Sequence, residues 1–187
     1  YKQCDYIVCH NESMKKYLMG LGIPSDRIVP IEIFDYRLDE MVQPKDNYDN
    51  DSIIIAGNLT REKSSFIYQL DDIASDNLNI NLYGFGYDKK DETKSSVNYL
   101  GLYSPEEIPY VIDGKWGLVW DGNSLESCTG STGEYLVYIN QHKVSLYLAS
   151  KIPVIMWSKS GLAPFITEND VGICVDSLTN IEQVLKE

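Results

Sequence analysis

The chain has 187 residues, room for one α/β domain of ordinary size or for one domain plus part of another. Asp and Glu number 28 against 16 Lys and Arg, a formal charge of −12, and such a surface repels nucleic-acid backbones and anionic lipid. Hydrophobic residues make up 43% of the chain, which excludes disorder as a whole-chain description, and no run approaches the ~20 apolar residues of a membrane span.

Short apolar runs alternate with amphipathic stretches, the signature of repeated β-α units around a parallel sheet. In chain order the pattern predicts a strand at 6–9, a helix at 12–19 and a strand at 28–34. Residues 44–51 are polar and without period, and read as a linker. A strand follows at 52–56, where consecutive Ile53, Ile54 and Ile55 suit a strand covered on both faces. The longest helix is expected at 60–74, then strands at 79–83 and 98–100. Ser104-Pro105-Glu106-Glu107 has the form of a helix start and opens a helix at 105–112. A strand at 117–120, a helix at 141–150, a strand at 153–157, a helix at 162–167, a strand at 172–175 and a helix at 180–186 complete the pattern. The expected fold is a Rossmann-like doubly wound parallel sheet over residues 52–187. A leading segment, 1–38, and a linker, 39–51, precede it. A start at Tyr1 and a stop inside a helical pattern mark the chain as a piece of a longer protein. The four cysteines, Cys4, Cys9, Cys128 and Cys174, form no CxxC pair, which reads as reduced thiols in a cytoplasmic protein.

Ligands of an open parallel sheet bind beyond the carboxyl ends of its strands. Two loops there suit an anion. In Ala56-Gly57-Asn58-Leu59-Thr60-Arg61-Glu62-Lys63, Gly57 lets backbone approach a ligand and Arg61 offers a planar donor fork. The same string also reads as an ordinary strand-to-helix turn with Arg61 on a solvated face. The second loop runs from Asp121 to Tyr135, where Gly130 and Gly133 can wrap a phosphate through backbone N–H groups. Asn140 is expected to cap the next helix and Lys143 to lie in its first turn. A cation there opposes the helix dipole unless an anion is present. His142 reads as a structural hydrogen-bonder, and Lys63 and Lys159 are expected outside the pocket.

Other strings carry less. Gly84-Phe85-Gly86 lacks the third glycine of a dinucleotide fingerprint. Asp49-Asn50-Asp51 could hold a metal but reads as a solvated acidic run. Tyr103 and Tyr110 flank a helix start, where an aromatic could stack on a base. With no P-loop, GxSxG or HExxH, no catalytic residue is identified.

The string from Asp5 to Met14, then Ile33-Phe34-Asp35-Tyr36, Tyr99-Leu100-Gly101 and Gly117 to Gly122, resembles bacterial glycosyltransferases of the β-1,6-galactofuranosyltransferase type. These include glucosyltransferases that extend glycans on serine-rich adhesins. The likeness peaks at Tyr138-Ile139-Asn140-Gln141-His142-Lys143-Val144-Ser145-Leu146-Tyr147-Leu148, with Ile139 and Gln141 where the family pattern has Asn and Pro. The resemblance implies a GT-B architecture, two Rossmann-like halves across a cleft. This chain matches the carboxyl-terminal, donor-binding half plus the last strand-helix-strand of the other. It implies transfer of a hexosyl group from a UDP-sugar to a glycan or glycoprotein acceptor without metal or cofactor, self-association, and a piece inactive by itself. Arg61 and Lys143 would then clamp the diphosphate, Asn140 would add a neutral donor, and Tyr103 would face the nucleoside, with Gly57, Gly130 and Gly133 lining the pocket. The competing reading is a non-catalytic α/β nucleotide- or ligand-binding module, which has no need to aim Arg61 and Lys143 at one point.

Overall fold

The computed structural model describes residues 3–44, 51–88 and 96–186. Strand β1 (Ile7–Cys9), helix α1 (Glu12–Gly20) and strand β2 (Ile28–Pro30) form a leading unit in which β1 and β2 pair in parallel, Val8 opposite Val29. The apolar side of α1 closes one face of that pair, burying Cys9, Leu18 and Ile28 with Met14 and Ile23 against them. Asn11 caps α1 by accepting the Met14 N–H at 3.0 Å. The strand expected at 28–34 stops at Pro30, because Glu32 takes φ 63°, a left-handed conformation that breaks an extended run. Residues 45–50, most of the expected linker and two of the three residues of Asp49-Asn50-Asp51, lie outside the described residues.

The remaining elements are β3 (Asp51–Asn58), α2 (Arg61–Ser64), β4 (Leu78–Phe85), β5 (Val97–Gly101), α3 (Ile108–Val111), β6 (Trp116–Val119), α4 (Gly130–Tyr135), α5 (His142–Ala149), β7 (Val154–Trp157), α6 (Ala163–Glu168), β8 (Gly172–Val175) and α7 (Ile181–Val184). Six strands form one sheet in the order β5-β4-β3-β6-β7-β8, and every pairing is parallel. The chain first winds outward from β3 through β4 to β5, then returns to β6 on the other side. That is the doubly wound, Rossmann-like arrangement. Both faces are covered: Ile53 and Ile55 pack with Phe66, Leu70 and Trp120, while Ile54 and Ala56 pack with Val119, Val144 and Tyr147.

Three expected elements differ. The long helix at 60–74 is α2 followed by a 3₁₀ stretch, Ser65–Asp72. Ser64 leaves helical space (φ −133°, ψ 47°) and its hydroxyl donates to the Asn58 carbonyl at 3.0 Å, while the Phe66 N–H goes to the Gly122 carbonyl at 3.2 Å. Contacts to the sheet edge thus replace the helical ladder. At 104–107 the reciprocal cap forms, Ser104 N–H to Glu107 Oε2 at 3.1 Å and Glu107 N–H to Ser104 Oγ at 3.3 Å. The helix behind it is only Ile108–Val111, since Pro109 has no N–H for the Pro105 carbonyl, which accepts from the Tyr36 hydroxyl at 2.6 Å instead. Gly130 to Tyr135, expected as a phosphate-wrapping loop, is helical.

Candidate functional site at the sheet switch point

The strand order reverses between β3 and β6, so the crevice beyond their carboxyl ends is where an open sheet takes a ligand. Two register pairs join these strands, Ile53 to Trp116 and Ile54 to Gly117. Past them the Tyr147 hydroxyl of α5 enters the ladder. It accepts the Ala56 N–H at 2.9 Å and shares its hydrogen between the carbonyls of Ile54 (3.3 Å) and Leu118 (3.4 Å). Its ring lies where Gly117 would carry a side chain, so that position excludes a Cβ. Burial pushes the phenol's ionisation well up, and it stays neutral.

On one wall of the crevice Gly57 turns at φ 122°, and the space where its Cβ would stand is open. On the other wall Asp121 follows β6. Its carboxylate is 5% exposed and meets two cations, Lys143 Nζ at 3.2 Å and Lys63 Nζ at 3.8 Å. The two loops are also tied by backbone: Gly122 N–H donates to the Lys63 carbonyl at 3.0 Å, and Thr132 Oγ1 donates to the same oxygen at 3.1 Å. The loops at 57–63 and 130–143 therefore share one edge of the sheet, as expected. Two ammonium groups around one carboxylate leave a local positive charge on a chain whose formal total is −12.

The expected site residues fall as follows. Lys143 lies in the first turn of α5, and the dipole conflict expected there is offset from within the protein by Asp121. Lys63, expected outside the pocket, joins Lys143 at Asp121. Arg61 lies over the Tyr68 ring, 3.7 Å from its centroid. Lys159 stands 5.9 Å from the Trp157 ring centroid, as a cation apart from that cluster. Asn140 does not cap α5; Gln141 holds that position. Instead the Asn140 amide donates to the carbonyls of His10 (2.7 Å) and Glu32 (2.9 Å) and accepts from Asn11 (2.9 Å). Gly130 opens α4 at φ 76°. Gly133 is enclosed in that helix, where a Cβ would stand 2.9 Å from the Cys128 carbonyl oxygen and 3.0 Å from that of Asp121; its smallness serves packing. Tyr103 follows β5, two strands from β3, with its ring 6.2 Å from that of Tyr83.

His142, expected as a structural hydrogen-bonder, instead stacks on Phe34 with centroids 4.2 Å apart. His10 meets the other side of Phe34 edge-on at 5.1 Å, and its Nδ1 accepts the Asn140 N–H at 3.0 Å. Burial first, then the charge of His142, holds the His10 pKa below the ordinary imidazole range. Among the described residues no three His, Cys, Asp or Glu side chains are grouped to hold a metal ion. No described helix is long and apolar enough to cross a membrane.

Residues 53–187 match the family model described as glucosyltransferase 3-like, C-terminal domain. The chain belongs to that family. Within 187 aligned residues this glucosyltransferase 3-like chain is 40% identical to β-1,6-galactofuranosyltransferase WbbI of Escherichia coli (strain K12), covering 97% of itself and 53% of that protein. It is 27% identical over 188 residues to glucosyltransferase 3 of Streptococcus gordonii, covering 100% of itself and 52% of that protein. The chain thus spans about half the length of these curated relatives. The resemblance to the galactofuranosyltransferase type, carboxyl-terminal half, is thereby shown. Two solved structures share the fold at low identity. One is the apo lipopolysaccharide outer core galactosyltransferase WaaB, with a TM-score of 0.54 and 15% identity over 83% of this chain and 43% of that one. The other is Anabaena Alr3699/HepE in complex with UDP and glucose, with a TM-score of 0.58 and 10% identity over 98% of this chain and 54% of that one.

Proposed function

We propose that this chain is the donor-binding half of a hexosyl-transferring glycosyltransferase, and that a UDP-sugar occupies the crevice between β3 and β6 with its diphosphate at Lys143 and Lys63. The observation that carries the reading is the pair of lysines from different loops, held by one buried carboxylate at the switch point. As the glycosidic bond breaks, negative charge develops on the nucleoside diphosphate. Preorganised cations stabilise that charge without reorganising at the moment of reaction, and metal is then not needed. Asp121 fixes where the ammonium groups stand before the donor arrives. Gly57 leaves backbone room for the pyrophosphate, and Gly130 starts the helix beside it. Arg61, lying on the Tyr68 ring in the same loop as Lys63, is a further cation for the diphosphate, and Tyr103 after β5 is assigned to the nucleoside.

The names of the relatives support the class of chemistry, and the UDP and glucose bound to HepE support the donor. The acceptor is a glycan or glycoprotein, positioned by the half of the enzyme beyond this chain. Free cysteines at Cys4, Cys9, Cys128 and Cys174 accord with a cytoplasmic site of action. A passive α/β module has no use for two lysines aimed at one point.

Calorimetric titration of UDP tests the site. Lys143→Ala should weaken binding by about 1.5–3 kcal/mol, the scale of a charge-assisted hydrogen bond. Lys63→Ala, at a more exposed ammonium, should cost about 1 kcal/mol or less. Lys159→Ala and added chelator should leave the affinity unchanged. A folded Lys143→Ala protein that binds UDP like the parent would sink the donor-site assignment.

A further inference from the structure

From Asn140 to Ser145 the chain faces two ways. Lys143 turns to Asp121 and the crevice. Its neighbours hold the leading unit instead: Asn140 donates to His10 and Glu32 carbonyls at 2.7 and 2.9 Å, His142 stacks on Phe34, and the Ser145 hydroxyl donates to the Phe34 carbonyl at 2.6 Å. At the centre is a pair of amides. Asn11 Nδ2 donates to Asn140 Oδ1 at 2.9 Å, both residues are buried, and Asn11 Oδ1 remains committed to the α1 cap. Gly161 makes the space, since a Cβ there would stand 2.6 Å from Asn11 Nδ2. Removing the Asn11 donor would leave a buried acceptor on Asn140 unpaired, which costs more than the bond itself contributes.

We propose that Asn11 is a positioning residue of the donor site: paired with Asn140, it fixes the start of α5 and hence where the Lys143 ammonium stands, without touching the nucleotide. This rests on the reading of Lys143 as a diphosphate contact. A nucleotide gripped by Lys143 then favours the seated leading unit, and by linkage the seated unit favours the nucleotide by the same factor.

Two variants separate this role from general packing. Asn11→Asp keeps an oxygen for the Met14 cap but sets a carboxylate against Asn140 Oδ1 with no hydrogen to donate. Asn11→Ser keeps a capping hydroxyl that stops short of Asn140. UDP is titrated into the intact protein by calorimetry, and uridine by ligand-observed NMR. Both variants should bind UDP at least about fivefold more weakly and uridine as the parent does, because uridine has no phosphate for Lys143 to meet. Lys143→Ala should show the same split. Folded Asn11 variants with parental UDP affinity would overturn the proposal, as would an equal loss for UDP and uridine. If Lys143→Ala weakens UDP and the Asn11 variants do not, the proposal alone fails; if Lys143→Ala is silent, the donor-site reading fails and takes the proposal with it. In the unaltered protein, UDP should slow amide exchange at Asn140 and Met14, and no slowing at either would likewise count against it.

Discussion

His10 meets Asn140 through a ring nitrogen that must be unprotonated to accept the N–H. Its folded pKa is lowered, by burial first and by His142 second, so the unfolded chain binds the proton more readily. The contact therefore contributes fully above the unfolded imidazole pKa of about 6.5, and its contribution is lost as pH falls through the lower folded value. Urea midpoints measured at pH 7.5 and 5.5 should drop toward the acid side. His10→Asn, which keeps an acceptor oxygen and cannot titrate, should flatten that drop; an unchanged slope would remove His10 as its source. At this scale legibility was uneven. The places of Gly57 at a strand end and of Lys143 in the first turn of a helix were readable because both are local features. Lys63 was not, since its partner Asp121 arrives through the strand order and not through the neighbouring sequence. Asn140 was misread as a cap because its amide answers partners such as Asn11, 129 residues away.

Helix α5 shows the same division at the scale of an element. Its extent followed from the apolar pattern, and the wedge made by Tyr147 did not, because nothing local announces a hydroxyl inside a sheet ladder. The helix ends in a Schellman turn, with Ile152 N–H on the Tyr147 carbonyl at 2.9 Å and Lys151 N–H on that of Leu148 at 3.1 Å. Lys151 pays for this turn with φ 63°, a left-handed conformation that glycine adopts without strain. Lys151→Gly should raise stability by about 0.5–1 kcal/mol, net of the larger entropy a glycine loses on folding. Thermal and urea unfolding check it, and a lowered midpoint would mean that the lysine side chain makes up for the strain. The predicted helix at 60–74 failed for the opposite reason: Ser64 and Phe66 found better partners on the sheet edge than along their own helix.

For the whole molecule, β-α alternation was enough to read a parallel doubly wound sheet, because strands buried on both faces need unbroken apolar runs. The chain spans about half of its curated relatives, and in the proposed two-half enzyme the acceptor is held by the other half. Residues 1–187 alone should therefore bind UDP yet transfer almost no sugar, since positioning of both reactants accounts for about 7–11 kcal/mol of a barrier. A donor-turnover assay on that piece decides it, with robust transfer contradicting the division of labour.

The phenol set between β3 and β6 bears on how the molecule comes apart. That seam has two register pairs, fewer than any other in the sheet, against eight between β3 and β4. The triplets β5-β4-β3 and β6-β7-β8 meet along it, and Lys63 belongs to the first side and Lys143 to the second. A ligand gripped by both lysines would span the seam and add a tie to the core that already crosses it. If the ladder at the seam yields before the core that both triplets share, urea unfolding without nucleotide should be broad. With saturating UDP it should become a single steeper transition, because more surface is exposed in one step. A midpoint shift with no change of slope would show that the sheet already unfolds as a whole.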